Sequence, residues 1–303
     1  MNACRGKILV IRGGAIGDFI LTLPAMAALR RQFPEAHLEV LGYPHIAQLA
    51  LAGGVVDRVQ SIEARALAGF FARRGELAED LVDYFSEFDL IVSYLYDPDG
   101  IFQTNVARCT GAQFITGPHR ADERTKLHAT KAYLKPLERL AIFDADPIPR
   151  LSFERHAGAA RELALHPGSG SEHKNWPEAS WAELLQRLII STQFKLLLVG
   201  GEAEGERLWR LAAGLPPARL RMAQNLPLAE LARSLAGCVA FVGHDSGISH
   251  LAAAVGLPGL VLWGDTAEEI WRPPSAKVVV VRHPGGVAQI PVAEVAEQLC
   301  EIG

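Results

Sequence analysis

Short runs of apolar, β-favouring residues recur along the chain, each followed by a helical segment rather than a hairpin turn. That alternation restricts the fold more than any other feature, because strands joined through helices lie parallel and a parallel sheet needs both faces covered. In the first half the predicted strands are Lys7–Ile11, His37–Gly42, Val55–Ile62 and Asp89–Leu95. Between them, helices are predicted from a glycine-rich turn to Arg31–Gln32, over Pro44–Ala52 and over Glu76–Phe85, with a closing helix over Arg124–Phe143. The second half restarts with strands at Glu162–His166, Lys195–Gly200, Val239–Val242, Gly259–Trp263 and Lys277–Arg282. Its predicted helices cover Pro177–Ile190, Glu202–Ala213, Pro227–Ala236, Gly247–Val255 and Pro291–Cys300, the last a candidate to pack back on the first domain. Asp144–Arg150 holds two prolines and no periodicity, which places a linker there and gives domains 1–150 and 151–303. The expected class is α/β, two Rossmann-like doubly wound parallel sheets facing a ligand cleft at the carboxyl ends of their strands.

Composition removes several function classes. With 49% hydrophobic residues and a net charge of −4, the chain is neither disordered nor a basic nucleic-acid binder. The longest apolar run, Leu251 to Trp263, contains Pro258 and falls short of the ~20 residues that span a bilayer. No signal peptide is expected, since Lys7 and Arg12 bracket the first apolar run. Cys4, Cys109, Cys238 and Cys300 are scattered without metal-ligand spacing and read as reduced thiols of a cytoplasmic protein. Nothing in the sequence speaks to the oligomeric state.

The turn after the first strand runs Arg12-Gly13-Gly14-Ala15-Ile16-Gly17-Asp18. Its small residues let a ligand approach the backbone, and the following helix offers N–H groups. The spacing is not G-x-G-x-x-G, and no acidic residue ends the second strand, so a dinucleotide role is weak; nor is there a Walker lysine. Asp18 has two readings: a first-turn acid favoured by the helix dipole, or a general base able to take a proton from a sugar hydroxyl.

In the second half, two loops again join a strand to a helix. His166-Pro167-Gly168-Ser169-Gly170-Ser171-Glu172-His173-Lys174-Asn175-Trp176-Pro177 supplies hydroxyl and N–H donors plus a lysine suited to phosphate, or else is a solvated loop. Gly243-His244-Asp245-Ser246-Gly247-Ile248-Ser249-His250 offers a cap for its helix and an anion-binding N-terminus. His250 alone reads as a packed histidine, since metal partners are missing. A diphosphate between the two donor-rich loops explains both at once.

Three motifs in order resemble glycosyltransferase family 9, the ADP-heptose:lipopolysaccharide heptosyltransferases and relatives. They are Ile8-Leu9-Val10-Ile11-Arg12 through Gly17-Asp18 with Leu21-Thr22-Leu23-Pro24-Ala25; His166-Pro167-Gly168 with Lys174 and Trp176-Pro177; and Asp245-Ser246-Gly247 with His250-Leu251-Ala252-Ala253-Ala254. The resemblance implies a GT-B fold, with acceptor on the first domain, nucleotide-sugar on the second, inversion at the anomeric carbon, and no required metal or cofactor. It makes Asp18 the catalytic base, Lys174 the residue set against the donor phosphates, and Asp245, Ser246 and Gly247 the donor turn, with Ser169, His250 and Thr266 beside it. Where relatives often read Phe-Gly-Pro-Thr, this chain has Trp263-Gly264-Asp265-Thr266, which adds a negative charge near the expected diphosphate.

Two further features bear on the acceptor. Asp97-Pro98-Asp99 matches a cation-holding D-x-D, but Gly100 follows and the tetrapeptide reads as a turn. From Arg120 to Arg139 there are six basic residues against three acidic ones. They form either a solvated helix face or a site for an anionic glycolipid at the inner membrane, with Arg120, Arg124, Lys126 and Gly14 as candidate acceptor contacts. The expected reaction is heptose transfer from ADP-heptose to a lipopolysaccharide-core or related acceptor. The rival readings are a nucleotide-sugar epimerase or dehydrogenase and a non-catalytic sugar-nucleotide-binding module.

Overall fold

A computed structural model describes residues 6–154 and 161–302; Cys4 lies outside the described residues. The chain divides into two compact units, Met1–Pro147 and Ile148–Gly303, and the division falls inside the proline-bearing segment.

In the first unit the order is β1 (Lys7–Arg12), α1 (Ile16–Gln32), β2 (His37–Gly42), α2 (Pro44–Ala52), β3 (Arg58–Ser61), α3 (Glu79–Ser86), β4 (Leu90–Ser93), α4 (Ile101–Val106), β5 (Gln113–Thr116) and α5 (Ala129–Leu134). The five strands are all parallel, in the order β3-β2-β1-β4-β5. Alternation along β1 sends Leu9 and Ile11 to one face, where they join Phe70, Phe85, Ile91 and Phe102 in a single core. Ile8 and Val10, on the opposite face, are buried as well, which is why the strand reads as a continuous apolar run.

The second unit runs β6 (Glu162–Leu165), α6 (Glu178–Ser191), β7 (Lys195–Gly200), α7 (Arg207–Ala212), β8 (Leu220–Gln224), α8 (Leu228–Ala236), β9 (Ala240–His244), α9 (Gly247–Ala254), β10 (Gly259–Leu262), α10 (Glu268–Trp271), β11 (Val278–Val281) and α11 (Val292–Ile302). Its six parallel strands follow the order β11-β10-β9-β6-β7-β8. Leucines of β6, β7 and β10 pack against Trp181, Leu184 and Leu188 of α6 and against Val295 and Leu299 of α11, so the last helix belongs to the core of its own unit.

Several predicted elements change. The helix expected over Arg124–Phe143 is three pieces: a 3-10 turn at Glu123–Thr125 ended by left-handed Lys126, then α5 capped by His128, then a 3-10 turn at Lys135–Leu140. Pro136 lacks the N–H that an α-helix would need there. The helix expected over Glu202–Ala213 breaks at Gly205, whose φ is +46°. Two strands escaped detection, β5 (QFIT) and β8 (LRMAQ), and both are sheet edges whose polar residues interrupt the apolar run. Among the described residues no helix is long and apolar enough to cross a membrane.

Candidate functional site

Each sheet has one point where successive connections run in opposite directions, leaving a crevice at the carboxyl ends of the two strands involved. In the first unit that point lies between β1 and β4, and in the second between β6 and β9. All three sequence motifs sit on the loops leaving β1, β6 and β9.

Arg12 ends β1 and is only 1% exposed. A buried guanidinium needs its donors engaged. It donates through Nη1 to the carbonyls of His119 (2.7 Å) and Tyr94 (3.4 Å), and through Nη2 to the carbonyl of Asp18 (3.2 Å). The ring of Tyr133 stacks on it at 4.6 Å. The same Nη2 lies 3.8 Å from Asp18 Oδ1, and the carboxylate is 31% exposed. Tyr133 donates its hydroxyl to that oxygen at 3.4 Å. Burial and the neighbouring Asp18 charge hold the Tyr133 phenol above its ordinary pKa, against the opposing pull of Arg12. Gly14 has φ +101°, a conformation only glycine adopts without strain, and a Cβ there would sit 3.5 Å from Asp18 Oδ2. The predicted Gly14 and Asp18 are therefore neighbours, one face of the carboxylate being bounded by bare backbone.

Arg120, Arg124 and Lys126 follow on the segment whose His119 carbonyl Arg12 holds. Arg124 is bidentate on Asp122, at 3.0 and 2.9 Å, and Arg120 reaches Glu123 at 3.4 Å. Lys126 is exposed. Asp97 of the D-x-D sequence caps α4, its two oxygens accepting from Phe102 N (3.1 Å) and Gln103 N (3.0 Å). Asp99 pairs with Arg73 at 3.8 Å. Among the described residues no group of three or more His, Cys, Asp or Glu is placed to hold a metal ion.

In the second unit the β6 and β9 loops are stitched together. Lys174 Nζ donates to Asp245 Oδ2 at 2.6 Å, the lysine 37% and the aspartate 8% exposed. Ser246 caps α9 by accepting from Ser249 N, and its Oγ is 3.4 Å from His166 Nδ1. Ser169 closes its own loop, donating to the Ser171 carbonyl (2.7 Å) and accepting from Ser171 N (3.2 Å). Gly247 opens α9, and the buried His250 lies in the following turn. Thr266 accepts at its carbonyl from Trp263 Nε1 at 2.7 Å, while Asp265 beside it is exposed.

Five residues left without a role by the sequence complete these sites: Arg12, Tyr133, His166, His244 and Arg207. His244 Nε2 accepts from Trp176 N (2.8 Å), so its proton is on Nδ1, which donates to the Gly168 carbonyl (3.0 Å). Burial lowers the His244 pKa to about 3, and burial likewise lowers that of His166 to about 4. Arg207, 18% exposed, spans the Pro167 carbonyl and Glu172. Arg12 and His166 each stand where an apolar strand meets a glycine turn, a signal present in the sequence; Tyr133 and Arg207 have no such local mark.

Residues 125–292 match the model of glycosyltransferase family 9 (heptosyltransferase). The chain is 30% identical over 301 residues to lipopolysaccharide heptosyltransferase 1 of Pseudomonas aeruginosa strain PAO1, covering 86% of this chain and 79% of the relative. It is 33% identical over 309 residues to lipooligosaccharide heptosyltransferase 2 of Haemophilus influenzae strain Rd, covering 91% and 88%. Among solved structures, E. coli ADP-heptose lipopolysaccharide heptosyltransferase II aligns over 98% of both chains at 19% identity with a TM-score of 0.80. E. coli heptosyltransferase WaaC, solved with ADP, aligns over 98% of this chain and 100% of its own at 21% identity, with a TM-score of 0.76. The two parallel-sheet units thus share the GT-B fold of these structures. By its motifs and its relatives, this chain is an enzyme that belongs to glycosyltransferase family 9, the heptosyltransferases.

Proposed function

We propose that the enzyme transfers a heptose from ADP-heptose to a lipopolysaccharide-core or related glycan acceptor, with inversion at the anomeric carbon and no required metal. The acceptor belongs on the first unit and the donor on the second, and the lipid portion of the acceptor brings the enzyme to the cytoplasmic face of the inner membrane. WaaC, a structural neighbour, has been solved with ADP and with ADP-2-deoxy-2-fluoro heptose, which supports this donor class. The observation that carries the reading is Asp18 itself, a partly exposed carboxylate at a sheet switch point, oriented by Arg12 and Tyr133 and left open on its glycine side.

An acceptor hydroxyl beside Gly14 loses its proton to Asp18 as its oxygen bonds to the anomeric carbon. The bond from that carbon to the diphosphate oxygen breaks, and the departing charge is met by Lys174, by the Ser169 loop and by the first-turn N–H groups of α9 behind Ser246 and Gly247. Asp245 holds Lys174 in place until the phosphates share it. His250 and Thr266 border the donor, and Arg120, Arg124 and Lys126 border the acceptor's approach. Asp97 accepts from two first-turn N–H groups of α4, which supports reading the D-x-D sequence as a turn.

Asp18→Asn is the direct test. The variant should keep its thermal stabilisation by ADP and lose about 10²–10⁴-fold in transfer, the usual contribution of a general base. Near-normal turnover would remove Asp18 from the reaction. Binding without any transfer by the unaltered enzyme would favour a binding module instead.

A further inference from the structure

The structure redistributes the basic stretch between Arg120 and Arg139. Arg120 and Arg124 are taken up by Glu123 and Asp122 of their own loop. Lys131 and Lys135, one helical turn apart, instead flank a groove of about 390 Å³ whose apolar wall is Leu127, Leu134, Ile142 and Phe143. Neither lysine is engaged in an ion pair among the described residues, and Glu138 is the one carboxylate lining the groove. Phe143 stands at the rim, 70% exposed.

We propose that this groove seats the enzyme on an anionic phospholipid bilayer. The two ammonium groups meet lipid phosphate, while Phe143 and the leucines enter the boundary between headgroup and acyl chain. An exposed aromatic beside long basic side chains suits that boundary, where the lysine stems lie along apolar surface and their heads reach phosphate. A soluble anion would have no use for an apolar wall, and a neutral apolar partner none for the lysines. The chain as a whole carries −4, so attraction to an anionic surface has to be local, and this groove supplies it. The opposite face of the same six-residue helix α5 presents Tyr133 to Asp18. A lipid-borne acceptor docked here therefore arrives beside the helix that carries Tyr133 to the carboxylate. In purpose the docking rests on the glycolipid acceptor proposed above; as binding it stands apart, since it requires neither donor nor turnover.

Sedimentation of the full chain with phosphatidylcholine vesicles, with and without phosphatidylglycerol, tests it. The unaltered protein should bind the anionic vesicles and not the neutral ones. Lys131→Gln combined with Lys135→Gln should weaken binding about 30-fold, at about fivefold per lysine. Phe143→Ser alone should weaken it several-fold, while Arg120→Gln with Arg124→Gln should change it less than about threefold. All of these side chains are exposed, and unchanged melting temperatures would confirm that the variants fold. The proposal is overturned if the lysine and phenylalanine variants bind as the unaltered protein does. Equal binding to neutral vesicles, or displacement by millimolar glycerol phosphate, overturns it as well. Transfer to a water-soluble acceptor fragment, measured in parallel, should be unaffected by the lysine changes; its absence from every protein, the unaltered one included, would sink the proposed reaction and leave the vesicle result standing.

Discussion

The two buried histidines of the second unit make its stability depend on mild acid. His166 and His244 are held neutral by burial, with pKa values of about 4 and about 3, whereas an unfolded histidine titrates near 6.5. Below pH 6.5 the unfolded chain binds protons that the folded chain refuses, so stability is complete above that pH and is lost as pH falls towards the folded values. From pH 7.5 to pH 5 each histidine should cost about 2 kcal/mol, or about 4 kcal/mol together. Glu172 and Glu178, held below the usual carboxylate range by side-chain hydrogen bonds from Arg207 and Arg210, lose their contribution only below pH ~4.5, outside this window. All five tryptophans, Trp176, Trp181, Trp209, Trp263 and Trp271, lie in the second unit, so urea unfolding followed by tryptophan fluorescence reports on that unit alone. Trp181 packs edge-on against His244 at 5.4 Å and senses the site directly. The expected slope is about 2–3 kcal/mol per pH unit between pH 5 and 6. A midpoint that stays flat over that interval, with an unchanged m-value, would mean that the histidines are not kept neutral by burial.

Two substitutions probe the loops. Gly14→Ala places a side chain at φ +101° and a methyl 3.5 Å from Asp18, so it should cost about 1–3 kcal/mol in the first unit and depress transfer more than ADP binding, as read by calorimetry and coupled ADP release. Lys174→Gln should raise the dissociation constant for ADP roughly 10–100-fold, the worth of a charge-assisted phosphate contact, with Lys174→Arg losing less; equal affinity in titration calorimetry would take Lys174 off the diphosphate.

Much of this architecture was legible because buried parallel strands are written as uninterrupted apolar runs: β1, β2 and β7 sit where Lys7–Ile11, His37–Gly42 and Lys195–Gly200 predicted them. The edge strands β5 and β8 were not, since a half-exposed edge needs no such run. The site divides the same way. Asp18, Lys174 and Asp245 lie on the glycine-bearing connections and first turns that follow β1, β6 and β9, where spacing marks them. Tyr133 reaches Asp18 from 115 positions away, and Arg207 reaches Glu172 across 35, separations that leave no local pattern. Pairing within the basic stretch was hidden for a different reason. Arg124 pairs with Asp122 and Arg120 with Glu123, contacts that a count of charges along the sequence does not display.

The node around Arg12 also sets an order on folding. Its guanidinium closes onto Tyr94 and His119 across 82 and 107 residues, and Tyr133 closes onto Asp18 across 115. Closing such loops is slow, because the chain entropy is lost before the contact is made. During synthesis Asp18 emerges beside Arg12 long before Tyr133 does, and the helix that completes its setting is among the last pieces of the first unit to arrive.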